Sequence, residues 1–182
     1  MDEEGRLERE IEVLEQEIVT KQLRLLELTR NHDMSTLSNY VFLGAEGPTY
    51  LSEMFTLNTD LALFHVMADC EYCDVWLSAI EQLAGAMRGR MALAVVSPEP
   101  LERLASRADR GAWTIPFYSA QSCSFSEDMG FLRSDTPVGV AGIVLCQIEE
   151  NRIYLSAKAP FGPSPFCSLW IFADRLNHVD HS

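Results

Sequence analysis

The sequence predicts an α/β fold: a mixed central sheet flanked by helices, with one long helix set before it. Three observations carry that expectation. Two continuous apolar runs, Leu61–Met67 and Met91–Val96, have the composition of strands buried on both faces of a sheet. Each is followed by residues of helical periodicity, so strand and helix alternate in the order of a parallel unit. Beyond them, Val138–Ile148 and Arg152–Ala157 flank Glu149-Glu150-Asn151, the pattern of an antiparallel hairpin.

Taken in order, residues 2–30 read as a helix. Leu7, Ile11, Leu14, Ile18, Leu25 and Leu28 follow steps of four and three, broken once by Lys21. The remaining face is Glu, Gln, Lys and Arg. Such a seam either lies on its own domain or pairs with a second copy as a short coiled coil. Residues 1–33 are therefore assigned to an N-terminal amphipathic arm and 34–182 to the main domain. Asn31–Asn39 is polar and reads as a connector. Tyr40–Leu43 and Thr49–Leu51, separated by a Gly/Pro turn, read as a small hairpin, with a helical turn at Ser52–Phe55.

The core starts at Leu61. After its strand come Cys70 and Cys73, then Val75, Trp76, Ile80, Leu83 and Met87 at helical spacing up to about Gly89. The second strand, Met91–Val96, leads into Ser97-Pro98-Glu99-Pro100. Ser97 is placed as the N-cap and Pro98 in the first turn of a helix reaching about Ala108. Trp113–Tyr118 reads as a short third strand and Ser119–Ser126 as a loop. Pro160–Pro165 must be irregular, and Cys167–Leu176 reads as a last helix.

Composition limits function. The chain has 182 residues, 47% hydrophobic and 23% charged, which suits a globular domain able to bury a core without staples. Its formal charge is -13, from 27 acidic and 14 basic residues, and repels nucleic acid and anionic lipid alike. Arg88 and Arg90 are the nearest thing to a basic patch. No apolar run is long enough to span a membrane, and the acidic N-terminus lacks a signal-peptide core, so the expected compartment is the cytoplasm. Thiols stay reduced there, and five cysteines do not pair into a structural framework.

The chemistry centres on Cys70 and Cys73. A two-residue gap at the first turn of a helix lets both sulfurs close a small disulfide ring. The first sulfur lies near unsatisfied N–H groups and the positive end of the helix dipole, which stabilise the nucleophilic thiolate. Asp69, Glu71 and Asp74 oppose that by raising the thiol pKa, so Cys70 is expected to be less acidic than the thiol of a strong oxidant. Cys70 is placed as the exposed attacking thiol and Cys73 as the partly buried resolving thiol, one turn into the helix. A CxxC between a buried strand and a helix reads as a thioredoxin-like redox motif.

Several segments also resemble a known family. They are Val41–Pro48 before Leu51–Phe55, Leu63–Met67, Cys70–Trp76, Val95–Leu101, Gly111–Ser119 and Phe125–Gly130. In this order they are similar to the thioredoxin-like family catalogued as domain of unknown function 899, related in fold to the peroxiredoxins. The resemblance covers roughly residues 10–157. It implies a thioredoxin-like, peroxiredoxin-type sheet. Thioredoxins place a cis-proline opposite the CxxC, and Pro137 is the candidate here.

Around the pair, Tyr72 is expected to be exposed and to tune substrate access. Trp76 is read as core or as a wall shielding the disulfide. His65 is read as a core histidine, or as a proton-handling group near the thiols. Cys123, in a polar loop, is an incidental thiol or a third redox cysteine relaying from Cys70. Cys146 is expected to be buried and inert, Cys167 incidental, and Asp128 a cap or surface charge. His178 and His181 fall in the terminal residues.

The leading expectation is a thiol–disulfide oxidoreductase or thiol peroxidase without cofactor, acting on a protein or small-molecule thiol or disulfide. The alternatives are a CxxC metal site for zinc or copper, which His65 or Cys123 would help complete, and a non-catalytic interaction protein dimerised through its N-terminal helix.

Overall fold

A single mixed sheet organises the main part of the chain. The computed structural model describes residues 3–30, 35–67, 70, 73–87, 89–132 and 139–160. The chain divides into two units at Ser35/Thr36.

The first unit is α1, Glu3–Arg30. Its 28 residues make a helix about 42 Å long at 1.5 Å per residue. Leu7, Ile11, Leu14, Leu25 and Leu28 stand exposed along it. Lys21, which interrupts the apolar seam, pairs with Glu17 at 3.3 Å, and Arg24 pairs with Glu27 at 2.7 Å. These are solvent-facing pairs of small energetic weight.

The sheet holds β1 (Ser35–Leu37), which begins at that boundary, β2 (Val41–Gly44), β3 (Gly47–Tyr50), β4 (Asp60–His65), β5 (Ala92–Ser97), β6 (Phe117–Ser119), β7 (Gly142–Glu149) and β8 (Arg152–Pro160). Their order in the sheet is β1-β8-β7-β4-β5-β6-β2-β3. The centre is parallel: β4 pairs with β5 from Leu61↔Ala92 to His65↔Val96, and β5 with β6. On the other side β4 meets β7 antiparallel, and β7 meets β8.

The helices are α2 (Cys73–Met87), α3 (Leu101–Gly111) and the short α4 (Phe125–Asp128), with a 3-10 turn at Leu51–Phe55. Strand pleating sorts the core into two layers. Leu61 and Leu63 of β4 and Ala94 and Val96 of β5 join Phe42, Phe55, Phe125 and Phe131. Ala62, Phe64 and Val66, with Val95, join Cys73, Leu77, Ile80 and Ile115. The continuous apolar runs are thus covered on both faces.

Three local expectations change. Part of the supposed connector, Ser35–Leu37, is a strand at the sheet edge. The third core strand is Phe117–Ser119, displaced toward the C-terminus from Trp113. Ser97 is not an N-cap: it ends β5, its Oγ accepts from the Glu99 N–H at 3.3 Å, and α3 starts after Pro100. The reason lies in Pro98 and Pro100, which hold the residues before them out of helical geometry. The expected hairpin is present in β7 and β8. Its turn residues Glu150 and Asn151 sit at φ 48° and 65°, a left-handed pair that matches the twist of the strands. The last predicted helix, Cys167–Leu176, lies outside the described residues.

Candidate redox site

Cys70 and Cys73 lie at the C-terminal edge of the parallel strands, where α/β sheets place their ligands. Val66 is still tied to the sheet by its N–H donating to the Val96 carbonyl at 2.9 Å. The chain then leaves β4, reaches Cys70, and enters α2 at Cys73. The two sulfurs are joined as a disulfide, with Cα atoms 5.3 Å apart. The Cys73 N–H donates to the Cys70 carbonyl at 3.1 Å and closes the turn.

The two cysteines differ in environment. Cys73 is buried, while Cys70 is half-buried against the same cluster. Helix α2 begins at Cys73, so Cys70 stands just before the helix and the resolving position is its first residue. Cys73, Leu77 and Ile80 fall on one face and press that helix onto the sheet. Trp76 is half-buried on the same cluster, beside the cysteines. Tyr72, Asp69 and Glu71 lie outside the described residues, as do Pro137, Arg88, Cys167, His178 and His181. Gly139 leaves room for the Met67 side chain: a Cβ there would fall 2.7 Å from the Met67 Sδ.

One side chain at this site went unread in the sequence. Arg107 of α3 is buried, its side chain only 7% exposed. Its Nε donates to Asp74 Oδ1 at 2.8 Å and its Nη1 to the Met67 carbonyl at 2.8 Å. The usable signal was position: Arg107 follows Leu104 by three residues, on the buried face of α3. A charge on that face demands a partner. Asp74, read from sequence as one of three carboxylates that raise the thiol pKa, is ion-paired with Arg107.

His65 belongs to the other layer. Its ring is fully buried and stacks on Phe131 with centroids 4.8 Å apart. Nδ1 lies 3.1 Å from the Val140 carbonyl and Nε2 2.9 Å from Ser126 Oγ. A carbonyl only accepts, so Nδ1 carries the proton and Nε2 accepts from the serine. Burial lowers the pKa to about 4, against a small opposing effect of the Val140 bond. The neutral ring ties β4 to α4 and to the segment leading into β7.

The other thiols also face that layer. Cys123 is half-buried against it, with Sγ 3.6 Å from the Ala120 carbonyl, and burial raises its pKa. Cys146 is buried in β7, which pushes its thiol up to about 12. The structure thus brings Cys70, Cys73 and Trp76 into one cluster and places His65 and Cys123 across the sheet from them. Asp128 accepts from the Tyr40 hydroxyl at 2.9 Å and from Ser124 Oγ at 2.7 Å. Among the described residues no three His, Cys, Asp or Glu side chains converge as metal ligands, and no helix is long and apolar enough to cross a membrane.

Comparison with known proteins agrees with this architecture. The family described as "Bacterial protein of unknown function (DUF899)" matches residues 3–157. No curated protein matches the chain. Among solved structures, a mutant of peroxiredoxin Q from Xanthomonas campestris superposes with a TM-score of 0.57 at 9% identity, covering 76% of this chain and 90% of its own. A PrxQ mutant from Xylella fastidiosa gives 0.57 at 13% identity, over 80% and 96%. Reduced Prx3 from Vibrio vulnificus, in complex with hydrogen peroxide, gives 0.56 at 16% identity, over 83% and 99%. At these identities the likeness establishes a thioredoxin-like, peroxiredoxin-type fold.

Proposed function

The chain belongs to the DUF899 family of bacterial proteins, and on that footing we propose that it is a thiol–disulfide oxidoreductase whose reacting pair is Cys70 and Cys73. One observation carries the reading: the two sulfurs are bonded across the start of α2, one half-buried and one buried, at the C-terminal edge of the sheet. That asymmetry supplies two roles. In the reduced protein the Cys70 thiolate attacks a sulfur of a substrate disulfide and expels one substrate thiolate. The Cys73 thiolate then attacks Cys70 Sγ, releases the second substrate thiol and leaves the protein disulfide. Two electrons pass from protein to substrate, and the reverse sequence oxidises a dithiol.

The test is a Cys73→Ser variant mixed with oxidised glutathione. Mass spectrometry should find glutathione held on Cys70 in the variant, while the reduced wild type goes on to its internal disulfide. A variant that takes up no glutathione contradicts the assignment.

A second reading is favoured by the Vibrio vulnificus relative with its bound hydrogen peroxide. Here Cys70 attacks the peroxide O–O bond, becomes a sulfenic acid and releases water or an alcohol. Cys73 condenses with it to the disulfide, losing a second water. Stoichiometric loss of peroxide on adding reduced protein separates the two.

The partners follow from the same chemistry: a protein or small-molecule thiol or disulfide, in the cytoplasm, with nucleic acid and anionic membrane repelled by the charge of -13. A second copy of the chain would cover the exposed seam of α1. Sedimentation of the full chain and of a Leu14→Glu variant checks this, since a seam dimer dissociates in the variant.

A further inference from the structure

A buried cation from another helix is bonded on both sides of the redox turn. Arg107 reaches from α3 with two N–H groups of one planar fork. One holds the Met67 carbonyl, three residues before Cys70. The other holds the Asp74 carboxylate, immediately after Cys73. A single buried guanidinium thus holds Met67 and Asp74, the described residues on either side of Cys70 and Cys73. A lysine ammonium is a point charge on a flexible stem and cannot make this pair of directed bonds in the same way.

We propose that Arg107 is the positioning residue of the redox centre: it ties Met67, before Cys70, to Asp74, after Cys73, and cancels the Asp74 charge. The inference rests on the redox reading above. Among the described residues, the charged groups bonded at this turn are Asp74 from α2 and Arg107 from α3; Arg103, one turn earlier on α3, is occupied with Glu99 at 3.5 Å. With the ion pair intact, Cys70 ionises beside a locally neutral pair. Removing either partner unmasks the other, and the two removals act in opposite directions.

The experiment follows the pH dependence of Cys70 alkylation in reduced full-length protein, with the disulfide potential measured on the same samples. Arg107→Met leaves Asp74 unopposed, which should raise the alkylation midpoint and slow the reaction at neutral pH by about three- to tenfold. Asp74→Asn leaves the guanidinium unopposed and should speed it by about the same factor. The double variant should fall between them, near the wild type. Arg107→Gln keeps an N–H donor but no charge, and gives the same reading should Arg107→Met fold poorly. Asp74 is 55% exposed, so Asp74→Asn offers an arm independent of the core. A purely structural Arg107 would lower thermal stability and leave the midpoints unmoved, and that result overturns the proposal. A wild type without a defined potential refutes the redox reading instead, whatever the variants do.

Discussion

Acid should weaken this protein through one buried ring before it touches most of the carboxylates. In the folded state His65 is neutral down to about pH 4, because burial disfavours its charged form. In the unfolded chain the ring takes up a proton near its model value of 6.5. Between those values the unfolded state binds more protons than the folded one. Stability is therefore fully present above about pH 6.5, falls as the pH drops, and stops falling on this account below about pH 4. At about 1.4 kcal/mol per pH unit, the two pKa values imply a loss of about 3 kcal/mol in all, about 2 kcal/mol of it by about pH 5. Urea unfolding of the wild type and of His65→Gln from about pH 7.5 to about pH 5 measures it, because glutamine does not titrate. The variant starts less stable, having lost the stacking on Phe131, so the slope decides. The wild type should lose about 2 kcal/mol more than the variant across that window. The carboxylates of Glu81 and Asp128, held below their ordinary range by hydrogen bonds, lose their contribution at lower pH. Parallel slopes would refute the reasoning and would mean that His65 is open to protons in the fold.

Other consequences can be checked singly. Leu77 is buried one turn after Cys73, so Leu77→Ala should cost about 2–5 kcal/mol in urea unfolding by leaving a cavity beneath the redox helix. Gly142→Ala should lower stability by about 1–3 kcal/mol in a thermal melt, since the new Cβ would meet Phe131 and lie 2.7 Å from the Ala159 carbonyl. In reduced protein pulsed with an alkylating agent at neutral pH, Cys70 should be labelled first, Cys123 later and Cys146 last, following their burial and raised pKa values. Mass spectrometry reads the order, and early labelling of Cys146 would contradict it.

What the sequence shows and what it hides both have physical causes. Strands β4 and β5 are legible because burial on both faces leaves an unbroken apolar run. The β7–β8 hairpin is legible through Glu150-Asn151, polar residues able to sit at positive φ between two apolar stretches. Strand β1 is not, because Ser35–Leu37 owes its strand form to β8, far along the chain. The start of α3 moves because proline geometry outweighs the capping preference of a serine. At the site, Cys70 and Cys73 declare themselves by spacing. Arg107 and Asp74 do not, because an ion pair across 33 residues leaves no local pattern. Likewise the side of the sheet on which His65 and Cys123 fall depends on register, which one strand cannot fix for its neighbours.

The central claim is that Cys70 and Cys73 form a reversible two-electron couple. A redox titration of the full chain in glutathione buffers, read by thiol labelling and mass spectrometry of the two cysteines, tests it most directly. The account predicts one midpoint within the span of thioredoxin-fold CxxC pairs, about -120 to -270 mV, and toward its reducing end. The transition should have a two-electron slope of about 30 mV per tenfold change, with both cysteines labelled together. Cysteines that stay reduced throughout, or that oxidise without a return on reduction, would contradict it.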